Sequence, residues 1–209
     1  MAETATAEAE AAAKPECETA APEPPTVLAR VFWDVRGGRG RLLIPPLNFA
    51  MVSKGVYRSG YPNKKNFAFL RKLGLRSILY LSPEKHADHQ IGLECLDFIK
   101  EHGVRLFHCG IRGHKEPFGS TPDAVVNAAL RHVLDRRNHP ILVHCDKGKH
   151  RTGCLIGCLR KLQRWSLASI FDEYSRFLPN PRVLDFQFIE CYAPGAETAE
   201  LVKDFVWRA

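Results

Sequence analysis

The chain has 209 residues, 45% of them apolar and 25% charged, which suits a globular protein with one ordinary domain and length to spare. No apolar run is long enough to span a bilayer, which argues against a membrane-embedded class. The net charge of +7 and seven cysteines, an odd number without paired spacing, argue against a disulfide scaffold and suggest reduced thiols in the cytoplasm or nucleus.

Residues 1–26 hold nine Ala, six Glu, four Pro and a single Lys, a composition expected to form a disordered acidic tail. Their net −5 leaves residues 27–209 at +12 against the whole-chain +7, so the folded part should meet an anionic partner. Residues 27–43, with "RGGRGR", read as a flexible basic lead-in, and "IPPLNFAMV" is expected to pack on the domain in an extended form. The pattern then predicts a strand at 55–60, a helix at 63–74 stopped by Gly74, a strand at 75–81, a helix at 86–102 and a strand at 104–109. Thr121 caps a further helix with Pro122 at its first position, and Asp135 to Asn138 close it before Pro140. After the strand "ILV" come helices at 152–163, 166–178 and 182–192. Strands alternating with helices imply an α/β fold with a central, mostly parallel sheet flanked by helices. The domain is placed at 44–192, with 193–209 as a C-terminal extension.

The stretch "ILVHCDKGKHRTGCLIGCLRKL" (141–162) concentrates the chemistry. A buried strand runs into His144 and Cys145. A loop carrying Asp146, Lys147, Gly148, Lys149, His150 and Arg151 leads to Thr152 and an apolar helix. Five residues separate the thiol from Arg151, enough for loop amides at a helix N-terminus to surround one tetrahedral dianion. Arg151 can fork onto two of its oxygens, and the same positive field favours a thiolate nucleophile. A zinc site from His144, Cys145, Cys154 and Cys158 is disfavoured, because the last two lie on an apolar helix face and no Cys-x2-Cys pair exists. A rhodanese-like sulfur carrier fits the Arg and following Thr poorly.

"HCDKGKHRTG" resembles the signature loop of the cysteine-dependent protein tyrosine phosphatase superfamily. With "PPLNFAMVSKGVYRSGYP", "KEPF" and "SIFDEYSRF", the stretch 44–192 is similar to the plant and fungal atypical dual-specificity phosphatases, in the branch that acts on inositol pyrophosphates. The resemblance implies a phosphocysteine mechanism without metal or other cofactor. Cys145 would be the nucleophile, Arg151 the transition-state clamp and Thr152 a donor to the departing thiolate, while His144 would help set the thiol's ionisation. Expected substrate contacts are Ile111, Arg112, Lys115, Asp146, Lys147, Gly148, Lys149 and His150. The family's usual catalytic Asp is missing from "CGIRGHKEPFGSTPD"; Glu116 and His114 are the remaining acids there, and Asp123 is better explained by a first helical turn.

Without a strong general acid, worth about 10²–10⁴-fold, esters with very basic leaving groups should react poorly. A phosphate leaving group, whose second pKa is about 6, needs little help. The resembling branch cleaves the β-phosphate at ring position five of inositol pyrophosphates, so the resemblance implies that substrate and that scissile group, and the basic loop and missing Asp agree with it. A phosphotyrosine protein, or a scaffold that binds phosphate but hardly turns over, is the alternative; no nucleic-acid partner is expected. Arg112 and Asp146 reverse the charges usual in the resembling family, as a paired swap between adjoining loops. Asp146 would oppose the thiolate unless Arg112 or a Lys neutralises it.

Overall fold

The computed structural model describes residues 33–34, 41–85, 90–112, 123–178 and 180–204. Strands β1 (Trp33–Asp34) and β2 (Arg41–Leu42) form a small antiparallel ribbon. The main sheet is built from β3 (Ala50–Ser53), β4 (Val56–Ser59), β5 (Ser77–Tyr80), β6 (Arg105–His108) and β7 (Ile141–His144), in the order β3-β4-β7-β5-β6. Four of these strands are parallel, and only β3 runs antiparallel, against β4. The helices are α1 (Lys64–Leu73), α2 (Gln90–Glu101), α3 (Asp123–Leu134), α4 (His150–Leu162), α5 (Leu167–Ser175), α6 (Val183–Cys191) and α7 (Ala196–Asp204). The mostly parallel α/β architecture is the expected one.

Alternation along the central strands sends side chains to two separate cores. Ile141 and Val143 of β7 join Leu79 of β5 under Val126, Leu130 and Val133 of α3 and Leu155 and Leu159 of α4. Leu142 and Ile78 face the other way, against Phe69 and Leu70 of α1 and Cys95, Phe98 and Ile99 of α2. Each fully buried aliphatic side chain contributes about 1.5–3 kcal/mol, and a one-residue slip would exchange both faces at once, so the register of β7 is firmly set. The placing of residues 145–151 follows from this: β7 is central, and its C-terminal end has one direction to leave.

Three parts of the structure differ from the sequence expectations. "AMVS" (50–53) forms β3, a paired strand, where only an extended packing segment was expected for "IPPLNFAMV". Helix α4 begins at His150, two residues early, so His150 and Arg151 belong to its first turn. Residues 196–204, placed in an extension, form α7, in which Thr198 is buried and Glu197 pairs with Arg131 of α3. The expected Thr121–Pro122 cap, most of the basic lead-in, residues 1–26, Lys115, and the acids His114 and Glu116 lie outside the described residues.

Candidate active site

Cys145 is the first residue after β7 and is buried at the C-terminal end of the sheet. The four residues that follow, 146–149, turn back into α4, whose N-cap Lys149 makes no side-chain capping bond. The backbone is shaped by donors outside the loop. Tyr61 N donates to Asp146 O at 2.9 Å, Asn48 Nδ2 to Lys147 O at 2.8 Å, and Arg58 Nη2 to Gly148 O at 2.8 Å. Three successive carbonyls are thus held toward the β3–β4 side. In a trans peptide the N–H points opposite to the C=O, so the next amides, those of Lys147, Gly148 and Lys149, are turned away from those donors. Successive amides presented on one side of a turn form an anion-binding concavity, here at the positive end of α4.

Gly148 makes this turn possible. Its φ of 66° lies in the left-handed region, and a Cβ there would sit 2.4 Å from both Gly60 N and Ser59 C. Any side chain would push the loop off the end of β4.

Thr152 Oγ1 donates to Cys145 Sγ at 3.1 Å, from the first turn of α4. The hydroxyl is thus aimed at the sulfur at hydrogen-bond distance. His144 is buried between Tyr61 and Tyr80, with ring centroids 5.0 Å and 5.1 Å away, so it sits in an aromatic frame behind Cys145. Burial first, then Cys95, Tyr80 and Asp146, hold the Tyr61 phenol well above its ordinary range.

Arg151 Nη1 donates to Asp146 Oδ2 at 2.9 Å and to Ser82 Oγ at 3.1 Å. The structure therefore gives Asp146 a cation from within its own loop. His150 donates from Nδ1 to Asp185 Oδ2 at 2.7 Å, and Tyr174 donates to the same oxygen. Asp185 on α6 is fully buried, so the ring of His150 is oriented by the helical layer behind the loop. Burial, Cys154 and Asp185 hold the Tyr174 phenol up, which keeps it a donor.

The site gathers Cys145, Asp146, Lys147, Gly148, Lys149, His150, Arg151 and Thr152 in one turn. Lys147 is exposed and Lys149 half-buried. Ile111 does not join them through its side chain, which is buried in the core beside Cys145, and its amide is committed to Leu81 O at 2.8 Å. An apolar residue just beyond a parallel strand packs inward. Arg112 is exposed beyond that position. Cys154 packs with Ile170, Tyr174 and Ile189, and Cys158 lies in the main core; burial pushes both thiols up. Among the described residues no three His, Cys, Asp or Glu side chains gather as a metal cluster.

Arg58, Ser82, Tyr174 and Asp185 were absent from the sequence-based set. Arg58 alone left a signal. It alternates with Val56 on a strand whose inward positions should be apolar, and a cation there needs a buried acceptor.

Comparison with known proteins places this geometry. The family model described as "Tyrosine phosphatase family" matches residues 43–209. The chain is 54% identical over 152 residues to the inositol diphosphatase DSP1 of Oryza sativa subsp. japonica, covering 72% of this chain and 66% of that protein. It is 51% identical over 158 residues to the inositol diphosphatase DSP4 of Arabidopsis thaliana, covering 75% of this chain and 77% of that one. The crystal structure of the core catalytic domain of the PP-IP phosphatase SIW14 from Saccharomyces cerevisiae, in complex with citrate, aligns with a TM-score of 0.70 at 46% identity, covering 79% of this chain and 96% of that one.

Proposed function

The chain belongs to the tyrosine phosphatase family, and from that premise we propose that it hydrolyses inositol pyrophosphates, removing the β-phosphate of 5-diphosphoinositol pentakisphosphate. The observation that carries the chemistry is the Cys145 loop, with three carbonyls held outward and Thr152 on the sulfur. The substrate class is supported by the likeness to inositol diphosphatases at about half identity and by the cations around the loop.

The reaction has two displacements. The terminal phosphoryl group lies on the loop amides and Arg151, and the Cys145 thiolate attacks phosphorus opposite the bridging oxygen. The P–O bond to the inner phosphate breaks, inositol hexakisphosphate leaves, and a phosphocysteine remains. Water then attacks the same phosphorus, inorganic phosphate departs, and the thiolate returns to the hydrogen bond from Thr152. Because the leaving group is itself a phosphate, the first step needs little protonation. Lys147 and Lys149 are placed to meet phosphates around the inositol ring, a use that a single phosphotyrosine would not make of them.

The test is a comparison of kcat/KM for 5-diphosphoinositol pentakisphosphate, a phosphotyrosine peptide and a small aryl phosphate. Each peripheral charge-assisted contact is worth about 1.5–3 kcal/mol, roughly tenfold or more in kcat/KM, so the pyrophosphate should lead clearly. A phosphotyrosine peptide as the better substrate would overturn the proposal in favour of protein dephosphorylation.

A further inference from the structure

Arg151 uses only part of its guanidinium. Nη1 serves both Asp146 Oδ2 at 2.9 Å and Ser82 Oγ at 3.1 Å. Ser82 Oγ in turn donates to Asp146 Oδ1 at 2.7 Å, so cation, hydroxyl and carboxylate close a triangle. Arg151 Nε, by contrast, is buried with no hydrogen-bond partner among the described residues. A settled arginine–carboxylate pair engages two parallel N–H groups, whereas this one hangs on a single nitrogen and leaves a buried donor unsatisfied. The carboxylate holds the cation without saturating it. A tetrahedral phosphoryl group has oxygens enough to satisfy Nε as well.

We propose that Asp146, held by Ser82, is an internal competitor for the phosphoryl site. It occupies Arg151 at rest and gives way to an incoming dianion. This rests on the phosphatase reading above, but on no particular substrate. The side chains suit the exchange: Asp146 is 54% exposed and can swing into water, while Arg151, at 20%, stays anchored at the loop. Displacing the carboxylate weakens every phosphoryl ligand by a similar factor. Substrates with further contacts to the surrounding cations bind in spite of that factor. Inorganic phosphate, which has only the loop and Arg151, suffers most in occupancy, so the product is kept from blocking the nucleophile.

The experiment measures the inhibition constant of inorganic phosphate against aryl phosphate hydrolysis by the full chain, in Asp146→Asn, Ser82→Ala and the double variant. The phosphate-dependent rise in melting temperature reports the same affinity without turnover. An exposed to partly buried ion pair implies tighter phosphate binding by about three- to fivefold in Asp146→Asn. Ser82→Ala should shift in the same direction, and the double variant should go little beyond Asp146→Asn, because one triangle is being broken twice. A silent Ser82→Ala would reduce Asp146 to a diffuse negative charge and overturn the proposal. So would a fall in kcat with unchanged phosphate affinity, which would make Asp146 a positioning residue for Arg151. Neither readout uses an inositol pyrophosphate, so failure here is separable from failure of the substrate assignment.

Discussion

Arg58 reaches Gly148 O from inside the sheet while its guanidinium lies 3.7 Å over the Phe177 ring. Burial draws it down to about 10, against the opposing pull of Glu173, Cys145 and Tyr174, so it remains a cation at neutral pH. It thus serves two purposes at once: it fixes the middle carbonyl of the loop and places a positive charge behind the thiol. Arg58→Met keeps much of the volume but removes the donor, and a loop displaced by even an ångström should lower kcat/KM by about 10²-fold. Arg58→Lys should not restore it, since an ammonium cannot both stack on Phe177 and reach Gly148. Steady-state kinetics of the two variants check this, and an Arg58→Met enzyme close to wild type would make the residue a core filler. At this scale the sequence was legible where residues are contiguous: the spacing of Cys145, Gly148, Arg151 and Thr152 already implied one shared loop, and the structure brings them together there. Arg58 and Asp185 meet the loop across 90 and 35 positions, through the fold, and no local pattern announces such pairs. The charge of Asp146 was visible, but its pairing with Arg151 depended on rotamers.

The element that delivers Cys145 to the loop is β7, and the turn before it is fastened by Asp135. This residue caps the 3-10 turn Arg136–Asn138, accepting from Arg137 N at 2.9 Å and pairing with the Arg137 side chain. The hydrogen bond from Arg137 holds its carboxyl below the usual range. A depressed folded-state pKa gives stability that is present above the unfolded value of about 3.9 and lost as pH falls through the folded one. Asp135→Ala should therefore cost about 0.5–2 kcal/mol at neutral pH, as the loss of a cap does. The gap to wild type should close in acid, and urea unfolding at both pH values reads it; a gap that does not change with pH would mean the carboxylate charge contributes nothing. Helices and parallel strands were readable because their apolar periods are strong: Phe67, Leu70 and Leu73 predict α1, and "ILV" predicts β7. Strand β3 escaped because it is a four-residue edge strand, with Met51 exposed, and its identity comes from pairing with β4. Helix α7 escaped because its few apolar positions, such as Val202, gain meaning only against α3 and the main core. The early start of α4 reflects a helix nucleated by the loop, which places Arg151 in its first turn.

At the scale of the whole molecule, two cores grip a central sheet from opposite faces, and that grip fixes where β7 ends. Among the described residues no helix is long and apolar enough to cross a membrane. The helical layer also enters the site, since α5 and α6 orient His150 through Tyr174 and Asp185. The buried Cys145, the concavity of loop amides and the surrounding cations are consequences of one strand end meeting one helix start, with the other elements holding that junction still. The central claim is that Cys145 takes the β-phosphoryl group of an inositol pyrophosphate onto its sulfur. It is tested most directly by mixing the enzyme with 5-diphosphoinositol pentakisphosphate labelled in the β-phosphate, quenching within a turnover, and locating the label by peptide mass spectrometry. The account predicts label on the peptide containing Cys145, none in Cys145→Ser, and inositol hexakisphosphate as the released product. Release of labelled phosphate by Cys145→Ser at an undiminished rate, with no labelled Cys145 in the wild type, would contradict it.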